Sequence, residues 1–108
     1  MALTRSFKDT VQGRAKKDAG FRRALLQEGV ECLLQGDTET GKAVLRDYIN
    51  ATLGFEELAA ASGISSKSLM RMFGPDGNPQ ASNLFAVIAC LQEAENVELE
   101  VRAARVRR

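Results

Sequence analysis

The stretch that decides the fold is FEELAAASGISSKSLMRMF, residues 55–73. It divides into two short helical segments at Gly63, because a glycine adopts the positive φ of a tight helix-ending turn without a Cβ penalty. Ser65 is positioned to cap the second segment by accepting a hydrogen bond from a free backbone N–H. Apolar residues at helical spacing give each segment a buried face. The expected buried positions are Leu58, Ala59, Ile64, Leu69 and Met72.

A pair of helices joined in this way is a helix-turn-helix, in which the second helix enters the DNA major groove. The side chains opposite the buried stripe are then the candidate readers of base edges. Arg71 can make a bidentate contact to guanine, Lys67 can contact guanine less rigidly or hold a phosphate, and Ser66 can read either base type. Met70 can contact a thymine methyl group.

The turn-rich segment after this helix, GPDGNP at residues 74–79, ends any helix that reaches it. Within this segment Asn78 has two interpretations. Its side chain can bond a phosphate, or it can cap the helix that begins near Pro79. Asn78 is therefore the fifth candidate DNA-binding residue.

Further helices are predicted on both sides of this motif. A stripe of Phe7, Val11 and Ala15 predicts a helix over about residues 6–17, and Asp18 is placed to cap a second helix that stops near Gly36. This N-terminal helical hairpin is either a structural brace or a surface for a partner protein. The remaining two helices are a third, capped by Asp37 or Thr38 and ending within 50–54, and a strongly apolar one over about 81–93.

Near the C-terminus, the spacing of apolar residues changes from a helical period to a period of two residues. Val97, Leu99 and Val101 alternate with charged residues, which predicts a short, half-buried β-strand. Such a strand could pair with the same strand of a second subunit and form a two-fold dimer, or pair within its own chain, or fray. The basic tail at 105–108 is either a solubilising end or a contact to the DNA backbone.

The amino-acid composition limits the classes of function that this chain could have. The chain has 108 residues, 44% hydrophobic and 27% charged, with a net charge of +1, which predicts one soluble domain. It has no histidine, so Ser-His or Cys-His nucleophilic pairs and histidine metal sites are excluded. Without a Gly-rich phosphate loop or a metal-ligand cluster, no enzyme activity, cofactor or metal is expected. Cys32 and Cys90 are interpreted as reduced core thiols.

Charge is distributed in blocks. Residues 1–23 carry a charge of +5, residues 24–64 carry −5, residues 65–72 carry +2, residues 73–101 carry −5 and residues 102–108 carry +4. The second motif helix is therefore a local positive patch between acidic blocks, which fits a protein that presents only one face to phosphate. No apolar run approaches the length of a membrane span and the N-terminus has no signal-peptide core, so a cytoplasmic location is expected.

The motif resembles the Cro/repressor (Xre) type of helix-turn-helix. Counted from Phe55 as the first position, its buried residues and Gly63 occupy positions four, five, nine, ten, fifteen and eighteen. More of the chain, about residues 6–102, resembles the small "probable addiction module antidote" proteins, which are HigA-like antitoxins. The segments that carry this resemblance are FKDTV (7–11), FRRALLQE (21–28), GKAVLRDYINAT (41–52), KSLMRMFG (67–74) and GNP (77–79).

The resemblance and the helical patterns together predict an all-α, lambda repressor-like helix-turn-helix bundle of about six helices, to which the two-residue period adds the short C-terminal strand. Its single domain comprises the N-terminal hairpin (1–36), the Xre-type core (37–94) and the strand with its basic tail (95–108). The resemblance also implies a bacterial repressor, a homodimer on a two-fold operator in double-stranded DNA, that autoregulates its operon and neutralises a RelE/HigB-like toxin by binding it.

One position departs from this pattern. The first motif position commonly holds a glutamine that contacts a phosphate, and here it is Phe55. We expect Phe55 to be a core or capping residue, with backbone N–H groups holding the phosphate instead. Two alternatives remain beside the antitoxin: a protein-interaction module whose helix-turn-helix is only a scaffold, and a stand-alone Xre-type regulator without a toxin.

Overall fold

The computed structural model describes residue 10 and residues 13–106, and all regular structure in these residues is helical. Residues 10 and 13–17 are helical and precede the longer helices. The helices with complete bounds are α1 (Ala19–Leu34), α2 (Thr38–Ala51), α3 (Gly54–Ser62), α4 (Ser66–Met72) and α5 (Ala81–Glu95). The prediction of an all-α fold with about six helices is confirmed. Phe7 and Val11, which define the predicted first stripe, lie outside the described residues.

Side-chain caps determine where three of the helices begin. Asp18 accepts a hydrogen bond from the backbone N–H of Phe21 at 3.1 Å, as predicted. Asp37, and not Thr38, caps α2 by accepting from the N–H of Thr40 at 3.2 Å. The predicted Ser65 cap of α4 is also present, because its hydroxyl accepts from the N–H of Ser68 at 3.1 Å. Each cap satisfies a backbone donor that the first turn of a helix leaves free.

One apolar core draws on all five of these helices. Among the helices with complete bounds, α1 and α2 form the most extensive contact. Two glycines permit this close packing, since a Cβ atom at Gly29 would lie 2.7 Å from Leu45 and one at Gly41 would lie 2.7 Å from Leu33. The core side chains are Leu26, Leu45, Tyr48, Ile49, Phe55, Leu58, Leu69, Met72, Phe73, Val87 and Leu91.

The predicted strand near the C-terminus is not confirmed. Residues 97–106 form neither helix nor strand. Val97 and Leu99 are half-buried against the core and Glu98 and Glu100 are exposed, but Val101 is 81% exposed, so burial follows the sequence alternation only as far as residue 100. The backbone N–H of Leu99 donates to Oε1 of Gln92 at 2.7 Å, so its partner is a side chain and not a neighbouring strand. Pairing with a second subunit stays a prediction.

The described residues contain no helix that is both long and apolar enough to cross a membrane. Cys32 and Cys90 are free thiols, each half-buried. The core prediction for these two residues is therefore met only in part, since neither side chain is fully enclosed.

Candidate nucleic-acid interface

The helix pair α3–α4 has the local geometry that the sequence predicts. Gly63 ends α3 with φ of +76°, a left-handed conformation that favours glycine. Leu58, Leu69 and Met72 are buried, and Ala59 and Ile64 are half-buried against the same core. These contacts fix one face of α4 on the protein and leave its opposite face in solvent.

Phe55 belongs to the core, as its departure from the usual glutamine indicated. Its side chain is buried, and its ring lies 6.3 Å from the ring of Phe73, measured between centroids, at a tilt of 52°. Aromatic pairs favour this tilted arrangement. The contact joins the start of α3 to the end of α4, so Phe55 holds the two helices together.

The candidate base readers lie on the outer face of α4. Lys67, Met70 and Arg71 are exposed, and Ser66 is half-buried. Within the described part of the chain, neither Lys67 nor Arg71 forms an ion pair or a side-chain hydrogen bond. Both cations are therefore free to bind an external anion or base edge without first breaking an internal contact.

A buried lysine, which the sequence reasoning missed, anchors the segment that follows α4. Lys42 in α2 is only 2% exposed, and its Nζ donates to the carbonyl oxygens of Gly77 at 2.7 Å and Gly74 at 3.2 Å. Nζ also lies 3.2 Å from a carboxylate oxygen of Glu39. Lys42 occupies the same helical face as Leu45, three residues later, and this spacing was the available signal for a buried position.

Arg46, one turn further along α2, donates to the carbonyl oxygen of Phe73 at 3.2 Å. It therefore partners one of the backbone carbonyls that the end of α4 leaves free. Together Lys42 and Arg46 bind the C-terminal end of α4 and the 74–79 loop to α2. We call these three hydrogen bonds, from Lys42 and Arg46 to the carbonyl oxygens of residues 73, 74 and 77, the α2–loop clamp.

Gly77 completes this arrangement for a steric reason. A Cβ atom at this position would lie 2.6 Å from the carbonyl oxygen of Met72 and closer still to that of Arg71. Because both atoms belong to the backbone of α4, neither can rotate away. The loop can fold back against α4 only with glycine here.

Asn78 does not cap α5. That helix begins at Ala81, and its N-cap residue Gln80 makes no side-chain capping bond. Asn78 is exposed and lines a cleft of about 390 Å³ between α4 and the loop, together with Arg71. The structure thus brings Arg71 and Asn78 together, whereas Ser66, Lys67 and Met70 lie outside this cleft. Polar residues that the sequence reasoning did not select also line it, namely Ser68, Asp76, Gln80 and Asn83.

A second polar cluster lies in a larger cleft, of about 760 Å³, to which residue 16, α1, the end of α2, α3 and α5 all contribute. Glu95 accepts hydrogen bonds from the Tyr48 hydroxyl at 2.6 Å and from Nε of Arg22 at 3.1 Å. Arg22 also donates to the carbonyl oxygen of Ala15 at 3.1 Å. Burial, followed by the hydrogen bond and negative charge of Glu95, raises the pKa of Tyr48. The Glu95 carboxylate thus links α1, α2 and α5, and Arg22 extends the cluster to Ala15 in the preceding helical residues.

Comparisons with protein-family models, curated proteins and solved structures gave no match. The support for a nucleic-acid interface therefore comes only from the residues and the geometry of this chain.

Proposed function

We propose that this protein is a sequence-specific, double-stranded-DNA-binding transcriptional repressor in which α4 is the recognition helix. One observation carries the proposal. Lys67 and Arg71 project without internal partners from a helix whose other face is buried and whose C-terminal end is held by the α2–loop clamp. A reader of base edges needs free donors on a rigid support, and α4 combines both properties.

Each residue at this interface has a distinct role in the proposal. Arg71 makes the bidentate contact to guanine O6 and N7, and Lys67 contacts guanine or a phosphate. Met70, which is 52% exposed, contacts a thymine methyl group, and Ser66 reads either base type. Asn78 bonds a phosphate from the clamped loop, which sets the register of α4 without reading sequence.

Two copies act together in this proposal. One subunit offers only two cations from α4 on a protein with a net charge of +1, so its own attraction to DNA is weak. A homodimer on a two-fold operator doubles the contacts, with half-sites centred about 34 Å apart, one helical turn of DNA.

The resemblance to HigA-like antitoxins extends the proposal to a bacterial, cytoplasmic antitoxin that represses its own operon and neutralises a RelE/HigB-like toxin. This step is supported by the sequence motifs. One structural feature favours a protein partner as well: exposed Leu34 and Val101 border a cleft of about 280 Å³ whose rim carries Glu31, Glu98 and Glu100. An apolar centre with an acidic rim is complementary to a small basic protein.

The decisive experiment measures binding of the wild-type and Arg71→Ala proteins to operator and to random DNA. We expect Arg71→Ala to weaken operator binding by about 1–3 kcal/mol and to relax base preference at one position per half-site. Arg23→Ala is the matched control, because Arg23 is an exposed arginine on α1. It should leave the ratio of operator to random affinity unchanged.

If Arg71→Ala loses the same affinity for operator DNA and for random DNA, Arg71 contacts a phosphate and does not read a base. If the wild type shows no salt-dependent DNA binding but co-purifies with a small basic protein encoded beside it, the protein is an interaction module instead. DNA binding without such a partner would identify a stand-alone regulator.

A further inference from the structure

Asp76 lies in the turn that follows α4, beside the candidate base reader Arg71. The backbone N–H of Gly77 donates to the carbonyl oxygen of Gly74 at 3.1 Å, which closes the turn around Asp76. Lys42 binds the carbonyl oxygens of the same two glycines, so the α2–loop clamp holds both ends of the turn. The backbone of Asp76 therefore has a fixed position relative to α4.

The side chains of Arg71 and Asp76 line the same cleft of about 390 Å³. Among the described residues that line this cleft, Asp76 is the only acidic one. Both side chains are exposed, and within the described part of the chain neither of them forms an ion pair or a side-chain hydrogen bond. The Asp76 carboxylate is therefore available as an acceptor for the Arg71 guanidinium.

The guanidinium of Arg71 has more donors than one guanine can accept. It carries five N–H groups, and the bidentate contact to guanine O6 and N7 uses two of them. At a protein–DNA contact from which water is excluded, donors that are left without acceptors cost free energy. A carboxylate suits these remaining donors well, because its two oxygens match the fork of N–H groups on a guanidinium.

We propose that Asp76 is a positioning residue for the contact between Arg71 and guanine. Its carboxylate accepts hydrogen bonds from the guanidinium N–H groups that the base does not use, and it thereby holds the guanidinium in the plane of the guanine. Asp76 itself contacts neither a base nor a phosphate. This inference deepens the proposed function and rests on it, because it assigns a determinant of sequence preference to the same interface.

The charge of Asp76 also disfavours contacts to phosphate. Lys67 and Arg71 make the outer face of α4 positive, and positive charge attracts the backbone of any DNA sequence. A carboxylate beside Arg71 offsets this charge and is itself repelled by phosphates. Asp76 therefore weakens binding to random DNA while it strengthens the contact to guanine, and both effects increase sequence preference.

A purely structural role of Asp76 makes a different prediction. Aspartate is common in turns, and asparagine tolerates the same turn conformations. Asp76→Asn therefore preserves the turn and removes only the negative charge. If Asp76 did no more than shape the turn, this variant would bind both kinds of DNA as the wild type does.

The test measures binding of the full chain to the DNA duplex that the wild type selects from a randomised pool, and to a random duplex. Asp76→Asn should lower the affinity for the selected duplex about threefold and raise the affinity for the random duplex about threefold at low salt. The ratio of the two affinities then falls about tenfold. A variant that had merely lost its fold would not gain affinity for random DNA.

Two further variants serve as controls. Asp76→Glu retains the charge, so it should keep the affinity of the wild type for the random duplex. Glu28→Gln removes one exposed carboxylate from α1, outside the cleft, and should leave the ratio of selected to random affinity unchanged.

A double-mutant cycle with Arg71→Ala separates the positioning of Arg71 from the general effect of charge. Once Arg71 is absent, Asp76→Asn should lower the affinity for the selected duplex no further. An additive loss of this affinity in the double variant would overturn the positioning role.

The outcomes also separate this proposal from the DNA-binding function. If Arg71→Ala loses the preference for the selected duplex but Asp76→Asn keeps it, or if Glu28→Gln loses as much preference as Asp76→Asn, Arg71 remains the base reader and the role of Asp76 is rejected. A wild type that selects no duplex would overturn the proposed function, and the role of Asp76 with it.

Discussion

Lys42 is the residue on which the geometry of the candidate interface depends most directly. Its Nζ reaches two loop carbonyl oxygens while the side chain is almost completely buried. Lys42→Met keeps much of the apolar stem but leaves both carbonyls without this donor. We expect the free energy of unfolding, measured by urea denaturation, to fall by about 2–3 kcal/mol, since hydrogen bonds to charged groups are among the strongest.

Glu39→Gln provides the control, because Glu39 pairs with the same Nζ but its side chain is 72% exposed. Solvent screens this ion pair, so the substitution should cost less than about 1 kcal/mol. If both variants lose the same stability, the exposed ion pair would be responsible, and the clamp would have no special energetic role.

At the scale of elements, Glu95 joins α1, α2 and α5 through Arg22 and Tyr48. The hydrogen bond from Tyr48 is short, at 2.6 Å, and Glu95 is nearly buried. Burial and Glu95 raise the pKa of Tyr48 above its ordinary value in the folded protein. Tyr48→Phe should therefore cost about 1–2 kcal/mol near neutral pH, because the carboxylate loses one donor.

The raised pKa of Tyr48 also predicts that its contribution to the free energy of unfolding falls at high pH. Below the unfolded pKa of about 10, tyrosine is protonated in both states and the contribution of Tyr48 is fully present. Above it, the unfolded chain loses the proton first, so the wild type loses up to about 1.4 kcal/mol per pH unit. The stability difference between wild type and Tyr48→Phe, measured by denaturation, should therefore narrow between about pH 9 and pH 11. A constant difference would contradict this coupling.

At the scale of the whole molecule, the division of charge into blocks limits the attraction to DNA. Lys67 is the one cation of α4 that the proposal allows to contact a phosphate, which gives two such contacts in a dimer, so log K for operator binding should fall with log salt with a slope of about −2. Affinities measured over a range of salt concentrations give this slope directly. A slope near −10 would mean that the basic N-terminal residues also contact phosphates.

Sequence alone determined the local features of this protein. The caps at Asp18 and Ser65 and the turn at Gly63 were predicted, and the α2 cap was narrowed to Asp37 or Thr38, because each depends on a side chain and backbone only a few residues away. The buried set of α3 and α4 followed from helical spacing for the same reason. Lys67 and Arg71 were then expected to be exposed, because they lie at positions of α4 that the buried stripe does not occupy.

Only the tertiary structure decided which distant groups meet. Lys42 and the loop carbonyl it binds most closely are 35 residues apart in sequence, and Tyr48 and Glu95 are 47 apart, so no local periodicity pairs them. The alternation at 97–101 indicated a strand, but the structure supplies Gln92 as the backbone partner instead of another strand. Periodicity defines the faces of an element, whereas packing decides what each face contacts.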